Sequence, residues 1–426
     1  TVPPRSAQDQ GSIAFSPFIE YAEEFAQGNG FELQRTDILF ISTPVRELEN
    51  QYNTVFGSGI QIASSVPKLW YNSWMKYYTN VASVGNNILY RGVKDGRRVK
   101  LKIGYSPTLF LPAKKQTAYK NLQGDALEPM KFENMREARD FIKNYEDVGN
   151  FKIYGQSRFE YAFIAEQHKG MVDWDKDQVS VGVIDIEVGS ENGFPDPYKA
   201  YEPITAICLK YVNGQTYVWG CGDYELKGDE IYIKCRDEHD LMTKFLERWQ
   251  EQTPDIITGW NIKFFDIPYL CNRFEKLSGE DAKKKLSPWG MISERKVMAM
   301  GKENIAYELL GVATLDYIEL YRWYAPGGKS QESYRLDNIA NVEIGENKLS
   351  YDEYDNLHDL YKRNFQLFIE YNIKDVELIL KLDEKLKLLE LAMTLAYDTK
   401  TNYVGLNDLF LFDGTRHRST ATYCAE

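Results

Sequence analysis

The chain has 426 residues, which is long for one ordinary domain and predicts two or three. Its formal net charge of −12 argues against a protein that coats DNA through a basic surface, but not against a nuclease whose metal site needs carboxylates. The five cysteines lack metal-type spacing and are predicted to be reduced thiols, and no apolar run approaches the roughly 20 residues that span a bilayer.

Residues 1–74 carry no recognisable chemistry and are treated as an unassigned, partly disordered N-terminal extension. Thr1–Gly11 is predicted to be disordered, with a short helix at Phe18–Gln27 and a strand at Asp37–Ser42. The chain begins with Thr rather than Met and ends in a polar stretch. We therefore expect it to be a fragment of a longer product.

Residues 75–178 are predicted to form a small, strand-rich α+β domain. Short segments rich in Tyr, Val, Ile and Leu alternate with Gly, Asn and Pro between Met75 and Pro112, which is typical of strands and turns. A helix follows at about Asn134–Tyr145.

A local basic stretch lies within this domain. It consists of Arg91, Lys94, Arg97, Arg98, Lys100 and Lys102. In a strand, Arg98, Lys100 and Lys102 would line one face. Such a face can bind the phosphates of a single-stranded template or an RNA segment, although a solvated strand face is the commoner explanation for a charge run.

Residues 179–387 are predicted to form a second domain, with a mixed sheet flanked by helices. The predicted strands are Val179–Val188, Ile204–Val212, Gln215–Gly220, Glu230–Lys234 and Asp255–Thr258, and the predicted helices are His239–Gln250, Phe265–Leu277 and Phe365–Leu380. Asn213-Gly214 is a strong signal for a type I′ hairpin turn. Meander strands followed by helix, strand and helix predict an α/β (α+β) fold of the ribonuclease H-like kind. Helix is predicted to continue through Leu378–Tyr397, so that residues 388–426 form a helix and a tail.

Asp185 and Glu187 are the first candidate site residues. Residues two apart in a strand face the same way, so both carboxylates project from one face. Two adjacent carboxylates repel each other, which a fold tolerates when cations lie between them. Two magnesium ions about 3.5–4 Å apart can stabilise both the attacking and the leaving oxygen of a phosphodiester. Taken alone, the pair is better explained as two acids at the exposed end of a strand.

Three further candidates follow along the chain. Asp266 lies near a predicted helix start, where an Asp is usually a cap, but the polar run Thr258–Asn261 directly follows a strand, where sites gather on open sheets. Tyr371 and Asp375 are four apart and share a helix face, although a core Tyr and a surface Asp would look the same. The order of these signals is more specific than any one of them.

These motifs together resemble the N-terminal and exonuclease portion of family B DNA polymerases from T-even-like bacteriophages. The resemblance runs from about Met75 to about Val404. Its motifs are D-I-E-V with G-F-P-D-P (Gly193–Pro197) close behind, T-G-W-N-x-x-x-F-D-I-P-Y (Thr258–Tyr269) and Y-N-I-x-D-V (Tyr371–Val376). It implies that Asp185, Glu187, Asp266 and Asp375 hold two Mg²⁺ or Mn²⁺ ions, with Tyr371 beside the attacking water.

The resemblance also implies residues that bind the substrate. Phe194 would wedge against bases of the frayed 3′ end, with Phe265 beside it and Asn261 at the terminal nucleotide. Core packing is the alternative for the two phenylalanines. The extended runs Val297–Met300 and Asn304–Leu310 would form a hairpin that helps to part primer from template, and a plain surface hairpin is the alternative.

The implied function is proofreading, by removal of nucleotides from a single-stranded DNA 3′ end. The implied partners are that end, primer–template DNA and a downstream polymerase domain or chain, without a membrane, in the cytoplasm of an infected bacterial cell. The polymerase motifs of the family do not occur in the chain, residues 1–74 match nothing in the family, and the tail from about Asn407 departs from its pattern. A non-catalytic nucleic-acid-binding module and a free-standing repair or RNA-processing nuclease are the rival hypotheses.

Overall fold

A computed structural model describes residues 77–405, apart from residues 95, 150, 192, 300 and 326–330. The predictions for Thr1–Gly11, Phe18–Gln27, Asp37–Ser42 and the tail from Asn407 lie outside the described residues. Within the described part, no helix is both long enough and apolar enough to cross a bilayer.

The N-terminal region contains two small antiparallel sheets. The first consists of β1 (Tyr77–Val84), β2 (Asn87–Lys94) and β3 (Arg97–Gly104), and the second of β4 (Thr108–Pro112), β5 (Tyr119–Lys120) and β6 (Ala126–Lys131) in the order β4-β6-β5. Two helices follow, α1 (Met135–Tyr145) and α2 (Phe159–Gln167). Asn134 is the N-cap of α1, because its side chain accepts a hydrogen bond from the Glu137 N–H at 3.0 Å. The predicted strand-rich α+β character is confirmed, whereas the domain boundaries stay a prediction.

A six-stranded mixed sheet forms the centre of the protein. Its strands are β7 (Val181–Val188), β8 (Ile204–Tyr211), β9 (Thr216–Gly220), β10 (Ile231–Lys234), β11 (Ile256–Gly259) and β14 (Ala313–Asp316), in the order β10-β9-β8-β7-β11-β14. β7, β8 and β9 are antiparallel neighbours, while β11 runs parallel to both β7 and β14. The meander ends at β9, because β10 pairs parallel with it. A separate hairpin, β12 (Ile292–Ala299) and β13 (Lys302–Leu309), lies between β11 and β14 in the chain.

The turn between β8 and β9 differs from the predicted type I′ turn. Neither Asn213 nor Gly214 has a positive φ, and the Gly214 N–H donates to the Tyr211 carbonyl at 2.9 Å. The turn is therefore centred on Val212 and Asn213, one residue earlier than the Asn-Gly signal indicates. The Val212 N–H donates to the Val181 carbonyl at 3.0 Å, and this contact with the neighbouring strand sets the position of the turn.

Helices cover both faces of the central sheet. They are α3 (Glu238–Glu251), α4 (Asp266–Ser278), α5 (Glu280–Lys284), α6 (Tyr317–Tyr324), α7 (Leu336–Ile344), α8 (Leu357–Arg363), α9 (Phe365–Leu386) and α10 (Leu388–Thr399). The helix predicted to continue through Leu378–Tyr397 breaks at Lys387, which has a left-handed φ of 56°. The Asp383 carboxylate accepts from the Leu389 N–H at 3.0 Å and caps the helix that follows the break.

The alternation along β7 divides the apolar side chains into two cores. Val181 and Val183 pack in one core with α9, and Ile184 and Ile186 pack in the other core with α3 and α4. Asp185 has the same parity as the valines, so it lies on the α9 side of the sheet.

Part of the predicted basic stretch is used inside the protein. Arg91 and Arg98 form ion pairs with the buried Asp255 at 3.2 and 2.6 Å. The Lys100 ammonium donates to the Pro288 carbonyl and lies 4.6 Å from the centre of the Trp289 ring. These contacts join the first N-terminal sheet to the central domain. Nucleic-acid binding by this strand face stays a prediction.

Candidate active site

Three carboxylates converge between β7 and α9. Oxygen atoms of Asp185, Glu187 and Asp375 all lie within 4.8 Å of one another. β7 supplies the first two because they are two apart in a strand, and α9 supplies the third from the helix that packs against the same face. Asp185 and Glu187 thus project from the same face of one strand, as predicted, and lie close to Asp375 on α9.

The cluster is unfavourable when no cation neutralises it. Burial, reinforced by the neighbouring carboxylates, raises the pKa of Asp185 well above its ordinary value and that of Glu187 to about 8. Burial also raises the pKa of Asp375, against the opposing effect of Lys348. The Oδ1 atom of Asp375 is buried without a hydrogen-bond partner. Buried, mutually repelling carboxylate oxygens of this kind match the ligands that Mg²⁺ and Mn²⁺ prefer.

Lys348 is a residue of this site that the sequence did not indicate. Its ammonium donates to Asp375 Oδ2 and, at 3.0 Å, to the Tyr371 hydroxyl. Burial lowers the pKa of Lys348, but Asp375, Tyr371 and Asp185 together raise it by more, so the side chain stays charged. Lys348 lies in the irregular segment between α7 and α8, where no periodic pattern points to it.

Tyr371 lies one turn before Asp375, as the helical spacing predicts. Its ring is almost fully buried, packs edge-on against Tyr351 with ring centres 5.4 Å apart, and lies 5.0 Å from the Lys348 ammonium. Because the hydroxyl oxygen accepts from Lys348, its own proton remains available to donate.

Asp266 lies beside the three converging carboxylates rather than among them. It is the first residue of α4, it is buried, and its Oδ1 accepts from the Ile186 N–H at 3.0 Å. Phe265, not Asp266, occupies the N-cap position of α4. Pairing of β11 with β7 stops at Val183, so the Ile186 N–H is free to bind this carboxylate. Burial is the main cause that raises the pKa of Asp266 to about 7.

Asn372 is a second residue that the sequence did not single out. Its side-chain amide donates to Asp185 Oδ2 at 2.6 Å and to the Asp185 carbonyl at 3.3 Å. Asn372 is fully buried within the Y-N-I-K-D-V motif, next to Tyr371. It therefore fixes the orientation of one of the three carboxylates.

The predicted substrate-binding residues lie in two loops. Phe194 is 87% exposed, which excludes core packing, and its ring centre lies 5.5 Å from that of Phe265. Phe265 is half-buried and also contacts Tyr269, with ring centres 5.8 Å apart. Asn261 has a left-handed φ of 64° in the loop that connects β11 to α4. The exposed ring of Phe194 thus packs against Phe265, the residue directly before Asp266 in the chain.

The β12–β13 hairpin is longer than its two predicted extended runs, since pairing extends from Ile292↔Leu309 to Ala299↔Lys302. It contacts Tyr198, the residue that follows the G-F-P-D-P segment, whose hydroxyl accepts from the Ile305 N–H at 3.1 Å. A role in parting primer from template stays a prediction.

Comparison with known proteins gives a consistent result. Residues 154–339 match the family described as DNA polymerase family B, exonuclease domain. The DNA-directed DNA polymerase of Enterobacteria phage T4 is 31% identical over 359 residues, which cover 78% of this chain and 39% of that protein. The DNA-directed DNA polymerase of Escherichia phage RB69 is 32% identical over 355 residues, with 76% and 39% covered. A putative DNA polymerase of frog virus 3 is 26% identical over 256 residues, with 55% and 25% covered. The chain spans about two fifths of the length of the two phage relatives.

Proposed function

We propose that this chain removes nucleotides from the 3′ end of single-stranded DNA. The premise is that the chain carries the exonuclease region of a family B DNA polymerase. In this proposal it is the proofreading portion of a phage replicative polymerase, whose polymerase domain would lie downstream or on another chain. The observation that carries the proposal is the convergence of Asp185, Glu187 and Asp375 within 4.8 Å.

The carboxylates fit a pair of divalent cations. Three buried acidic groups repel one another, and Asp375 offers an oxygen without a hydrogen-bond partner. We propose Asp185, Glu187 and Asp375 as ligands and Asp266 as the fourth carboxylate of the site. When bound, Mg²⁺ or Mn²⁺ would supply Lewis-acid activation of water and would stabilise the charge on the leaving 3′ oxygen.

The side chains around the carboxylates would orient the substrate. The Tyr371 hydroxyl, which accepts from Lys348 at 3.0 Å, can donate its own proton to a water molecule or a phosphate oxygen. Phe194 and Phe265 would stack on bases, an interaction that every base can make and that suits the removal of any terminal nucleotide. Asn261 would contact the terminal nucleotide. Hydrolysis by water needs no nucleophilic side chain and releases a nucleoside monophosphate.

DNA with a frayed 3′ end and primer–template DNA are the proposed partners. The basic face of β3 is a weaker candidate for contact with a template or an RNA segment, because Arg98 and Lys100 already bind groups of the central domain. Lys102 is the exposed basic residue that remains on this face, and the exposed Arg97 lies on the opposite face of the strand.

The combined substitution Asp185→Ala and Glu187→Ala tests the proposal. We expect it to abolish release of a 3′ label from a single-stranded oligonucleotide without loss of the folded state, measured by circular dichroism. The matched control is Asp223→Ala with Glu225→Ala, which removes two carboxylates at the same spacing from an exposed loop. Trimming at the wild-type rate by the first variant would contradict the assignment.

One observation favours a second candidate function, a non-catalytic nucleic-acid-binding module. The Lys348 ammonium already places a positive charge against Asp375, so the cluster is partly neutralised without a metal ion. Oligonucleotide binding that is insensitive to chelator, with no nucleotide release in Mg²⁺, would favour this module. Equal activity on single-stranded DNA, mismatched duplex and RNA would instead favour a free-standing nuclease.

A further inference from the structure

The Asp316 carboxylate binds three backbone N–H groups where two parallel strands end. Asp316 is 2% exposed and is the N-cap of α6, where Oδ1 accepts from the Ile318 N–H at 3.2 Å. The same oxygen accepts from the Asn261 N–H at 2.9 Å, and Oδ2 accepts from the Lys263 N–H at 2.9 Å. A helix cap needs only the first of these bonds. The other two hold a different segment of the chain.

That segment, residues 260–265, connects β11 to α4 and leads directly into Asp266. β11 and β14 are parallel, and Gly259 and Asp316 are register partners at their ends. The segment therefore begins beside Asp316 and passes over it. Asn261 adopts the left-handed conformation there, which is unfavourable for a residue other than glycine. The two hydrogen bonds that the Asp316 carboxylate accepts from this segment offset that cost.

Two further contacts hold the same segment in place. The Lys263 ammonium binds both carboxylate oxygens of Glu319 on α6, at 2.7 and 2.9 Å. On the other side, at the end of β11 where the segment begins, a Cβ atom at Gly259 would lie 2.5 Å from the Ile184 carbonyl oxygen, so the backbone there packs closely against the strand that carries Asp185. The segment is thus held at its start against β7 and at Lys263 by α6.

We propose that Asp316 is a positioning residue of the exonuclease site. It fixes the backbone of residues 260–265 so that Asn261 and Phe265 meet the terminal nucleotides. The inference rests on the proposed function and adds a residue that lies outside all three motifs. Asp316 touches neither the substrate nor the carboxylate cluster and acts through the main chain of the segment it binds.

The competing explanation is that Asp316 only caps α6, and two substitutions separate the explanations. Asp316→Ser keeps a good N-cap but is too short to bind both loop N–H groups. Asp316→Asn keeps the size and one acceptor oxygen. The matched control is Asp237→Ser, the same change at the N-cap of α3, where the side chain accepts only from the Asp240 N–H at 2.9 Å.

The first readouts are local and do not need turnover. In the full chain, we expect Asp316→Ser to lose hydrogen-exchange protection at the amides of residues 261 and 263 while the amide of residue 318 stays protected. We also expect its Kd for single-stranded DNA to rise about tenfold relative to wild type, which is the size of effect expected when a charge-assisted hydrogen bond is lost. The Kd is measured by anisotropy of a 5′-fluorescein oligonucleotide in EDTA. Asp237→Ser should change neither readout.

Steady-state kinetics complete the test. Misplacement of bound groups by about 1 Å can reduce a rate about a hundredfold, so we expect kcat/KM of Asp316→Ser to fall by about that factor, with the weaker binding raising KM and the misplacement lowering kcat, and with Asp316→Asn intermediate. Wild-type binding and wild-type kcat/KM in Asp316→Ser would overturn the positioning role. If that variant does not fold, Asp316→Asn decides, and a wild-type Kd for it overturns the role. Absence of cleavage by the wild-type chain would refute the proposed function instead, and the exchange and binding results would still decide the role of Asp316.

Discussion

Glu187→Gln should make the metal-free protein more stable while it abolishes nuclease activity. The pKa of Glu187 is raised from 4.5 to about 8, first by burial and then by Asp375, against the effect of Lys348. Below pH 4.5 this carboxyl is protonated in both the folded and the unfolded chain. As the pH rises from 4.5 to 8, the unfolded chain releases the proton first, so the folded state loses stability across that window.

The size of the gain follows from the two pKa values. At about 1.4 kcal/mol per pH unit, the difference between a pKa of 4.5 in the unfolded chain and about 8 in the folded chain lowers the free energy of unfolding by about 5 kcal/mol above pH 8. A buried glutamine amide without partners would cost about 1–3 kcal/mol. We therefore expect Glu187→Gln to raise the free energy of unfolding by about 2–4 kcal/mol at pH 8.5, and to have no effect or a small destabilising one at pH 5.

Urea unfolding in EDTA, followed by tryptophan fluorescence at both pH values, measures this difference. The matched control is Glu191→Gln, an exposed carboxylate on the same chain segment that pairs with Lys362 at 2.7 Å and should give no gain at either pH. Added Mg²⁺ should stabilise the wild type more than the variant, because it binds the intact cluster better. A Glu187→Gln protein that is less stable than wild type at pH 8.5, or equally stabilised at both pH values, would show that the raised pKa of Glu187 does not destabilise the folded state.

Three further substitutions, of Lys348, Asp255 and His168, have predictable effects on activity or stability. Lys348→Met should slow release of a 3′ label at least about tenfold, because it removes a charged hydrogen-bond donor from the site, whereas Lys381→Met on the exposed side of α9 should leave the rate unchanged. Asp255→Ala should lower the free energy of unfolding by about 3–5 kcal/mol in urea titrations, because it leaves the Arg91 guanidinium buried without its counter-ion; a change below about 1 kcal/mol would contradict this. Burial, reinforced by the charge of Lys400, lowers the pKa of His168 to about 4; His168 should therefore contribute a loss of up to about 3 kcal/mol of stability as the pH falls from 6.5 to 4, opposite in sign to the contribution of Glu187. His168→Phe should remove that contribution, so its free energy of unfolding relative to wild type should rise as the pH falls through this window, and a constant difference would contradict this.

Local periodicity explains what the sequence could predict of the site. The strand period of two brings Asp185 and Glu187 to one face, and the helix period brings Tyr371 and Asp375 to one face. The order of the three motifs points to the family B exonuclease, and the family match confirms that resemblance. The mixed sheet between helices also agrees with the predicted fold class.

Tertiary packing explains what the sequence could not predict. Lys348 reaches Asp375 from an irregular segment, and Asp316 ends a strand of only four residues, so no repeating pattern marks either residue. The turn after β8 shifts by one residue because Val212 bonds to the neighbouring strand. In each case the deciding contact joins parts of the chain that are distant in sequence.

The polarity and the product of DNA degradation are the decisive test of the proposed 3′–5′ exonuclease activity. The purified chain should be mixed with Mg²⁺ and a single-stranded oligonucleotide labelled at either the 3′ or the 5′ end. We expect immediate release of the 3′ label as a nucleoside monophosphate, a ladder of progressively shorter products from the 5′-labelled strand, and no reaction in EDTA. Early release of the 5′ label as a mononucleotide, or degradation that continues in EDTA, would contradict that activity.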